Sequence, residues 1–319
     1  IAKVMRLNRA PLTQTVRPLR ENSMELDKII TGDSAVVLQS FPPDCIDLTV
    51  TSPPYDNLRT YNGYSFDFET IARELFRVTK AGVVVVWVVG DQTINGSETM
   101  TSFKQALFFR ECGFNLNDTM IWNKYIPGLM GKRYSNSFEY MFIFSKGEPK
   151  TFNPIMKKNS YSGKYRGNHR GANGTEKQNT FSERNVSSIS ENVWRIPVGG
   201  GITSTDGFTH PAQFPEALAR DHILSWSNEG DVILDPFCGS GTTPKMAKVL
   251  SRHYVGIETS NEYVSLSEKR LLAAPVPLFG LERGLTPLAL DGANAPDFQH
   301  SFPADVLVGE GTLPEPPRQ

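Results

Sequence analysis

The sequence predicts an α/β fold: a mostly parallel, twisted sheet with helices on both faces. Three observations predict it. Strand-like and helix-like segments alternate from Lys28 to Ser145 and again after Asp206, as in a chain that crosses over between parallel strands. The longest apolar run, VVVVWVV at Val83–Val89, is β-branched throughout apart from its tryptophan and shows no polar alternation, as expected of a strand covered on both faces. VILDPFCGSGTT at Val232–Thr243 reads as a strand that enters a Gly-rich turn and opens a helix.

The elements follow in order. Residues 1–27 are basic, contain proline and show no period; they read as an N-terminal arm. KIITGD (Lys28–Asp33) is a short strand ending in a turn, SAVVLQSF has helical spacing, and CIDLTV (Cys45–Val50) is a strand. FETIARELFRVTK (Phe68–Lys80) places Ile71, Leu75 and Val78 on one helical face. The valine strand, the helix MTSFKQALFFREC, and the strands DTMIWNK and EYMFIFSK complete a first half, residues 28–146. Residues 147–205 read as a polar, Gly- and Asn-rich insertion. Between Lys150 and Asn185 eight Lys or Arg stand against two Glu, an excess of six positive charges. Such a segment is either a solvated surface loop or a DNA-facing one, in which Lys157, Lys158, Lys164, Arg166 and Arg170 neutralise phosphates. A second half, residues 206–274, holds the helix HPAQFPEALARDHILSWS, the strand–turn–helix, the strand HYVGIE and the helix NEYVSLSEKRLLAA. From Pro275 to Gln319 eight prolines interrupt any period, so this part reads as an extended tail.

With 319 residues, 39% hydrophobic and 21% charged, the chain can bury one large core or two modest ones. A net charge of −1 means that a polyanionic partner must be met by a local basic patch. Cys45, Cys112 and Cys238 are odd in number, widely spaced and without a CxxC pair. Neither a disulfide framework nor a metal site is expected, and a reducing cytoplasm suits the thiols. The longest apolar run is too short to span a bilayer. No signal peptide is legible, and the chain starts at Ile1.

Two short motifs carry chemistry. In TSPPY (Thr51–Tyr55) two consecutive prolines stop a sheet ladder and stiffen the chain directly after a strand. In the glycine turn, Gly239 and Gly241 permit a tight bend and close approach of a ligand. A phosphate-cradling P-loop would continue with Gly-Lys-Ser/Thr, whereas this chain has Gly241-Thr242-Thr243, which disfavours nucleotide hydrolysis. A dinucleotide fingerprint needs a third glycine where Lys245 and Met246 stand. What remains is a loop for a ligand with a ribose and few phosphates. Glu258, 23 residues after Asp235, lies at an offset that suits hydrogen bonding to ribose hydroxyls. A tight strand-to-helix turn and a surface glutamate would leave the same trace.

Together, TSPPY and DPFCGSGTT (Asp235–Thr243) resemble the catalytic motif and the cofactor loop of the DNA amino-methyltransferases. The catalytic motif comes first, the basic region second and the cofactor loop last, the order of the permuted β class. Gly32-Asp33 and HPAQFP (His210–Pro215) are similar to further segments of that family, and the resemblance covers Lys28 to Leu272. It implies a Rossmann-like methyltransferase fold with circularly permuted motifs and a DNA-recognition insertion. It implies S-adenosyl-L-methionine as cofactor, held by Asp33, His210, Pro211, Asp235, Pro236, Phe237, Gly239, Ser240, Gly241, Thr242 and Glu258. It implies a catalytic corner of Ser52, Pro53, Pro54 and Tyr55: the Ser52 side chain and the Pro53 carbonyl accept the hydrogens of an exocyclic amine, and Tyr55 stacks on the flipped base. Double-stranded DNA is the implied partner, and a homodimer is expected; a cognate restriction endonuclease and an orphan enzyme both stay open.

Bland readings stand beside these. Asp33 equally suits a helix cap. His210 suits a structural or cofactor-edge place better than a catalytic base. Trp87, Trp122 and Phe138 read as core, and Cys238 as a packing residue. No residue is identified that takes the spare proton; Asp56 is near in sequence but suits a turn cap as well. No Pro-Cys dipeptide occurs, which speaks against methylation at cytosine C5. In the family, Ser before PPY goes mostly with cytosine N4, and Asp or Asn with adenine N6. A hydroxyl both accepts from the amine and donates to a ring nitrogen, whereas a carboxylate only accepts. HPAQFP leans the same way. Cytosine N4 is therefore the expected target and adenine N6 the alternative. An RNA or protein-glutamine methyltransferase and an inactive DNA-binding module are the remaining readings; the long basic insertion speaks against a small peptide substrate.

Overall fold

The computed structural model describes residues 24–54, 67–124, 133–159, 163–167, 180–184, 186–198 and 215–275. Strand β1 (Lys28–Thr31) and β2 (Leu48–Thr51) flank α1 (Ser34–Val37) and a 3-10 turn at Leu38–Ser40. Helix α2 (Phe68–Val78) leads to β3 (Val84–Val89). A small hairpin, β4 (Thr93–Ile94) with β5 (Ser97–Glu98), precedes α3 (Thr101–Glu111), β6 (Asn115–Asn123) and β7 (Phe138–Ser145). Then come β8 (Met156–Lys158), β9 (Gly163–Gly167), β10 (Thr180–Arg184), β11 (Ser187–Ile189) and β12 (Val193–Arg195). Helix α4 (Glu216–Trp226), β13 (Val232–Asp235), α5 (Thr242–Val249), β14 (His253–Glu258) and α6 (Asn261–Ala273) follow.

The main sheet has the order β1-β14-β13-β2-β3-β7-β6-β12. Only β7 runs against the rest among the described strands, pairing antiparallel with β3 and β6. The other pairings are parallel. The valine run explains itself at the centre. Val84, Val86 and Val88 join a core with Leu218 and Ile223 of α4, Met246 of α5 and Leu271 of α6. Val85, Trp87 and Val89 join the opposite core with Ala35 of α1, Ile71 and Leu75 of α2, and Phe109 of α3. Alternate side chains leave opposite faces of a strand, so a strand sandwiched between two helical layers must be apolar at every position. Each such buried side chain contributes about 1.5–3 kcal/mol.

Trp87 and Trp122 are core residues, as expected. The Trp87 indole donates to Gln105 Oε1 at 2.8 Å, and the Trp122 indole to the Ile196 carbonyl at 2.7 Å. Phe138 is not: it opens β7, is 40% exposed, and meets the Tyr140 ring edge-on at 5.4 Å. The strand read at Cys45–Val50 starts only at Leu48, because Ile46 turns to bridge Thr79. The segment read as a polar insertion contains ordered pairs: β8 with β11, and β9 with β10. It also returns to the main sheet, where β12 lies parallel to β6 and puts Trp194 and Ile196 into the core. Two alternating apolar residues, Trp194 and Ile196, in a polar stretch are too few to show a period. No described helix is long and apolar enough to cross a membrane.

Candidate active site

The topology singles out one crevice. From β13 the chain passes through α5 to β14 on one side, and from β2 it reaches β3 on the other side, with α2 between. β13 and β2 are themselves neighbours. Connections that diverge from adjacent parallel strands leave a gap at the strands' carboxyl ends, which is where open α/β sheets bind ligands. The residues that follow those two strands are Ser52-Pro53-Pro54 after β2 and Pro236-Phe237-Cys238-Gly239-Ser240-Gly241 after β13. The ends of β14 (Glu258) and β1 (Thr31, followed by Gly32-Asp33) are paired beside them.

The two motifs are joined directly. The Thr51 hydroxyl donates to Asp235 Oδ1 at 2.6 Å, and the Thr243 hydroxyl donates to the Val50 carbonyl at 3.1 Å. Asp235 is 2% exposed and also accepts the Phe237 amide at 3.1 Å. Burial pushes its carboxyl up to about 6, and the Glu258 carboxylate adds to this; the bonds from Thr51, Phe237 and Thr243 pull the other way. Pro53 is buried, while Ser52 and Pro54 are half-buried at the crevice. Their backbone leaves a strand already fixed on both sides, by Leu48 and Thr49 against β13 and by Thr49 to Thr51 against β3.

The glycine loop is held from several directions. Gly239 donates to Glu258 Oε2 at 2.9 Å, Cys238 to the Ile257 carbonyl at 3.0 Å and Gly241 to the Cys238 carbonyl at 2.7 Å. The Ser34 hydroxyl donates to the Pro236 carbonyl. Ser240 and Thr242 are buried. Glu258 Oε1 accepts the Ser260 amide at 2.9 Å, and Oε2 retains a further lone pair for a hydroxyl. Asp33 caps α1, accepting the Ala35 amide at 2.7 Å; the residue is exposed beside the paired ends of β1 and β14. Cys238 is buried, and burial pushes its thiol well up, which makes it a packing residue and a poor nucleophile.

The donor set fits S-adenosylmethionine. Asp33 and Glu258 bring carboxylates to this end of the sheet that can accept hydroxyls of a sulfonium nucleoside, while the buried Asp235 is engaged by the Thr51 hydroxyl and the Phe237 amide and ties the two motifs together. The Lys245 ammonium, which could have met a phosphate, is bound to Glu216 at 2.8 Å and its residue is buried. A polyphosphate would find carboxylates here instead of a lysine. Gly241 has a second reason to be glycine. Its φ is +79°, and a Cβ there would lie 2.7 Å from Ser267 Cβ on α6. Gly241→Ala is expected to destabilise the protein by about 2 kcal/mol and to weaken cofactor binding, as checked by urea unfolding and by titration calorimetry.

The structure brings Ser52, Pro53, Pro54, Asp33, Asp235, Pro236, Phe237, Gly239, Ser240, Gly241, Thr242 and Glu258 to one end of the sheet. Tyr55, Asp56, His210, Pro211 and Arg170 lie outside the described residues. Lys157 and Lys158 stand on β8; Lys157 pairs with Glu191 and Lys158 is exposed. Lys164 and Arg166 belong to β9, in register with Glu183 and Phe181 of β10. Four further residues hold these segments together and are not distinguished in the sequence: Thr51, Thr243, Glu216 and Arg270. Thr51 and Thr243 sit inside the quoted motifs, but nothing local gives their partners.

Comparison with known proteins places this geometry among relatives. The family model described as a DNA methylase matches residues 46–269. The orphan methyltransferase M.BamHII of Bacillus amyloliquefaciens is 57% identical over 240 residues, covering 72% of this chain and 89% of the relative. The type II methyltransferase M.HinfI of Haemophilus influenzae is 30% identical over 284 residues, covering 79% of this chain and 70% of the relative. Among solved structures, the cytosine-N4-specific PvuII DNA methyltransferase shares the fold, with TM-score 0.57 at 21% identity, over 76% of this chain and 85% of that one. A DNA modification methylase of Thermus thermophilus, TTHA0409, in complex with S-adenosyl-L-methionine, aligns with TM-score 0.53 at 25% identity, over 79% of this chain and 95% of that one.

Proposed function

The chain belongs to the DNA methylase family, the N4/N6 amino-methyltransferases, and from that premise we propose that it methylates the exocyclic N4 of cytosine within a specific sequence of double-stranded DNA. It is an S-adenosylmethionine-dependent enzyme; the bound cofactor supplies a methyl group activated by a sulfonium. The observation that carries the choice of base is Ser52, a hydroxyl rather than a carboxylate at the carboxyl end of β2, beside the cofactor loop.

The chain's own residues would act as follows. The amine of cytosine is a weak nucleophile because its lone pair is delocalised into the ring. Ser52 Oγ and the Pro53 carbonyl accept its two hydrogens and draw the nitrogen toward tetrahedral geometry. The double proline fixes the carbonyl acceptor, and the Thr51–Asp235 bond fixes the corner against the glycine loop. Positioning of nitrogen and methyl in line supplies most of the rate. Tyr55 stacks on the base once it has left the duplex. Lys157, Lys158, Lys164, Arg166 and Arg170 would meet the phosphates. Asp33 and Glu258 would accept bonds from the cofactor's nucleoside, and residues 210–211 would border its methionine end. A homodimer acting in the cytoplasm, with or without a cognate restriction endonuclease, completes the proposal.

The test is mass spectrometry of nucleosides from DNA incubated with the protein and labelled cofactor. N4-methyl-2′-deoxycytidine is expected. N6-methyl-2′-deoxyadenosine alone would move the assignment to adenine. No transfer to duplex DNA, with the cofactor bound, would overturn the DNA reading.

A further inference from the structure

Arg270 on α6 is 1% exposed. A guanidinium keeps its charge inside a protein, and a buried charge is tolerated only where hydrogen bonds replace water. Here Nη1 donates to the Ser240 carbonyl at 2.7 Å, to Ser240 Oγ at 3.0 Å and to Thr242 Oγ1 at 3.4 Å. Nη2 donates to Glu216 Oε1 at 2.8 Å. Glu216 is the first residue of α4, and the same oxygen accepts Lys245 Nζ of α5 at 2.8 Å. One carboxylate on α4 thus holds cations from α5 and α6, and one of those cations grips the loop between β13 and α5.

We propose that Arg270 is a positioning residue for the cofactor: it fixes Ser240 and Thr242 of the loop from α6, and Glu216 aims it. The planar fork reaches the loop and Glu216 at once. A lysine in its place is a point charge on a flexible stem and cannot span both. The proposal rests on residues 235–242 being the cofactor loop.

Arg252 provides the comparison. It makes a similar set of bonds, to the Ser227 carbonyl at 2.9 Å, Ser227 Oγ at 3.1 Å and the Leu250 carbonyl at 2.6 Å, but next to His253, where β14 begins, at the other end of the sheet from the site. Arg270→Lys, Arg252→Lys and Glu216→Gln are titrated with S-adenosylhomocysteine by calorimetry, and their Tm values are recorded. Arg270→Lys is expected to raise Kd about tenfold, the scale of one charge-assisted hydrogen bond, with KM for S-adenosylmethionine rising in parallel and kcat changed far less. Glu216→Gln should weaken binding in the same direction. Arg252→Lys should lower Tm and leave Kd within about twofold, because it is remote from the loop. A Kd for Arg270→Lys equal to the wild type's, or an equal loss in Arg252→Lys, overturns the proposal. If Arg270→Lys does not fold, an unchanged Kd in Glu216→Gln overturns it. Failure of the wild type itself to bind S-adenosylhomocysteine would count against the loop assignment instead.

Discussion

Ser52→Ala is expected to lower kcat about 10²- to 10³-fold, the cost of removing one preorganised partner at a reacting centre, while cofactor affinity and Tm change little. The expectation follows from where Ser52 sits. It is half-buried at the end of a strand that is paired on both sides, so truncation removes an acceptor without releasing the backbone. The Pro53 carbonyl stays in place and continues to accept one hydrogen, which leaves residual activity. Single-turnover methylation of duplex DNA, combined with S-adenosylhomocysteine binding, separates the cases. A variant with kcat within about threefold of wild type would remove Ser52 from the chemistry. A parallel fall in cofactor affinity would show that the corner itself had shifted.

The second large effect is on stability against pH. The Asp235 carboxyl is pushed up to about 6 in the fold from an ordinary 3.8. The folded state therefore binds this proton more tightly than the unfolded chain does. The contribution is full below about pH 4 and is lost as pH rises through about 6, and two pKa units correspond to about 3 kcal/mol. Asp235→Asn does not titrate. The difference in unfolding free energy between wild type and Asp235→Asn should move by about that amount in the wild type's disfavour from pH 4 to pH 7, whatever the offset the amide introduces. His222 works in the opposite sense: burial holds it down to about 3, so its contribution is lost as pH falls below the ordinary range. It is present in both proteins and cancels in the difference. Urea unfolding at several pH values measures the quantity, and a difference flat across the window would show that Asp235 is ionised throughout in the fold.

An acid held half-protonated near pH 6 between Thr51 and the glycine loop also has a structural meaning. Either protonation state accepts the Thr51 hydroxyl, so the link between the corner and the loop survives across the range in which the net charge of the site changes.

Much of the site was legible in the sequence. Strand and helix signals at Lys28, Phe68, Val84, Thr101, Val232 and His253 match the elements, because a valine run or a 3.6-residue stripe is a local record of what covers a segment. Glycines and prolines marked the two turns because few other residues tolerate those backbones; Gly241 at φ +79° is the plain case. Less legible were partners. Nothing in the sequence sets Glu216 apart from an ordinary first-turn acid of a helix, or Arg270 in NEYVSLSEKRLLAA from a surface arginine, since an exposed and a buried arginine leave the same mark in an amphipathic pattern. Phe138 looked like core because phenylalanine usually is.

The sequence by itself determined the chemistry on offer: a rigid Ser-Pro-Pro corner, a glycine turn without a phosphate-binding lysine at the expected place, an acid at the end of a strand, and their order along the chain. Only the tertiary structure decided that the corner and the turn, 184 residues apart at Thr51 and Asp235, share a hydrogen bond, that β12 completes the sheet, and that α4, α5 and α6 converge on one carboxylate behind the loop. The reason is physical. Local propensity and burial patterns are written residue by residue, but the order of strands in a parallel sheet, and hence which buried polar groups must satisfy one another, is fixed by the packing of whole faces.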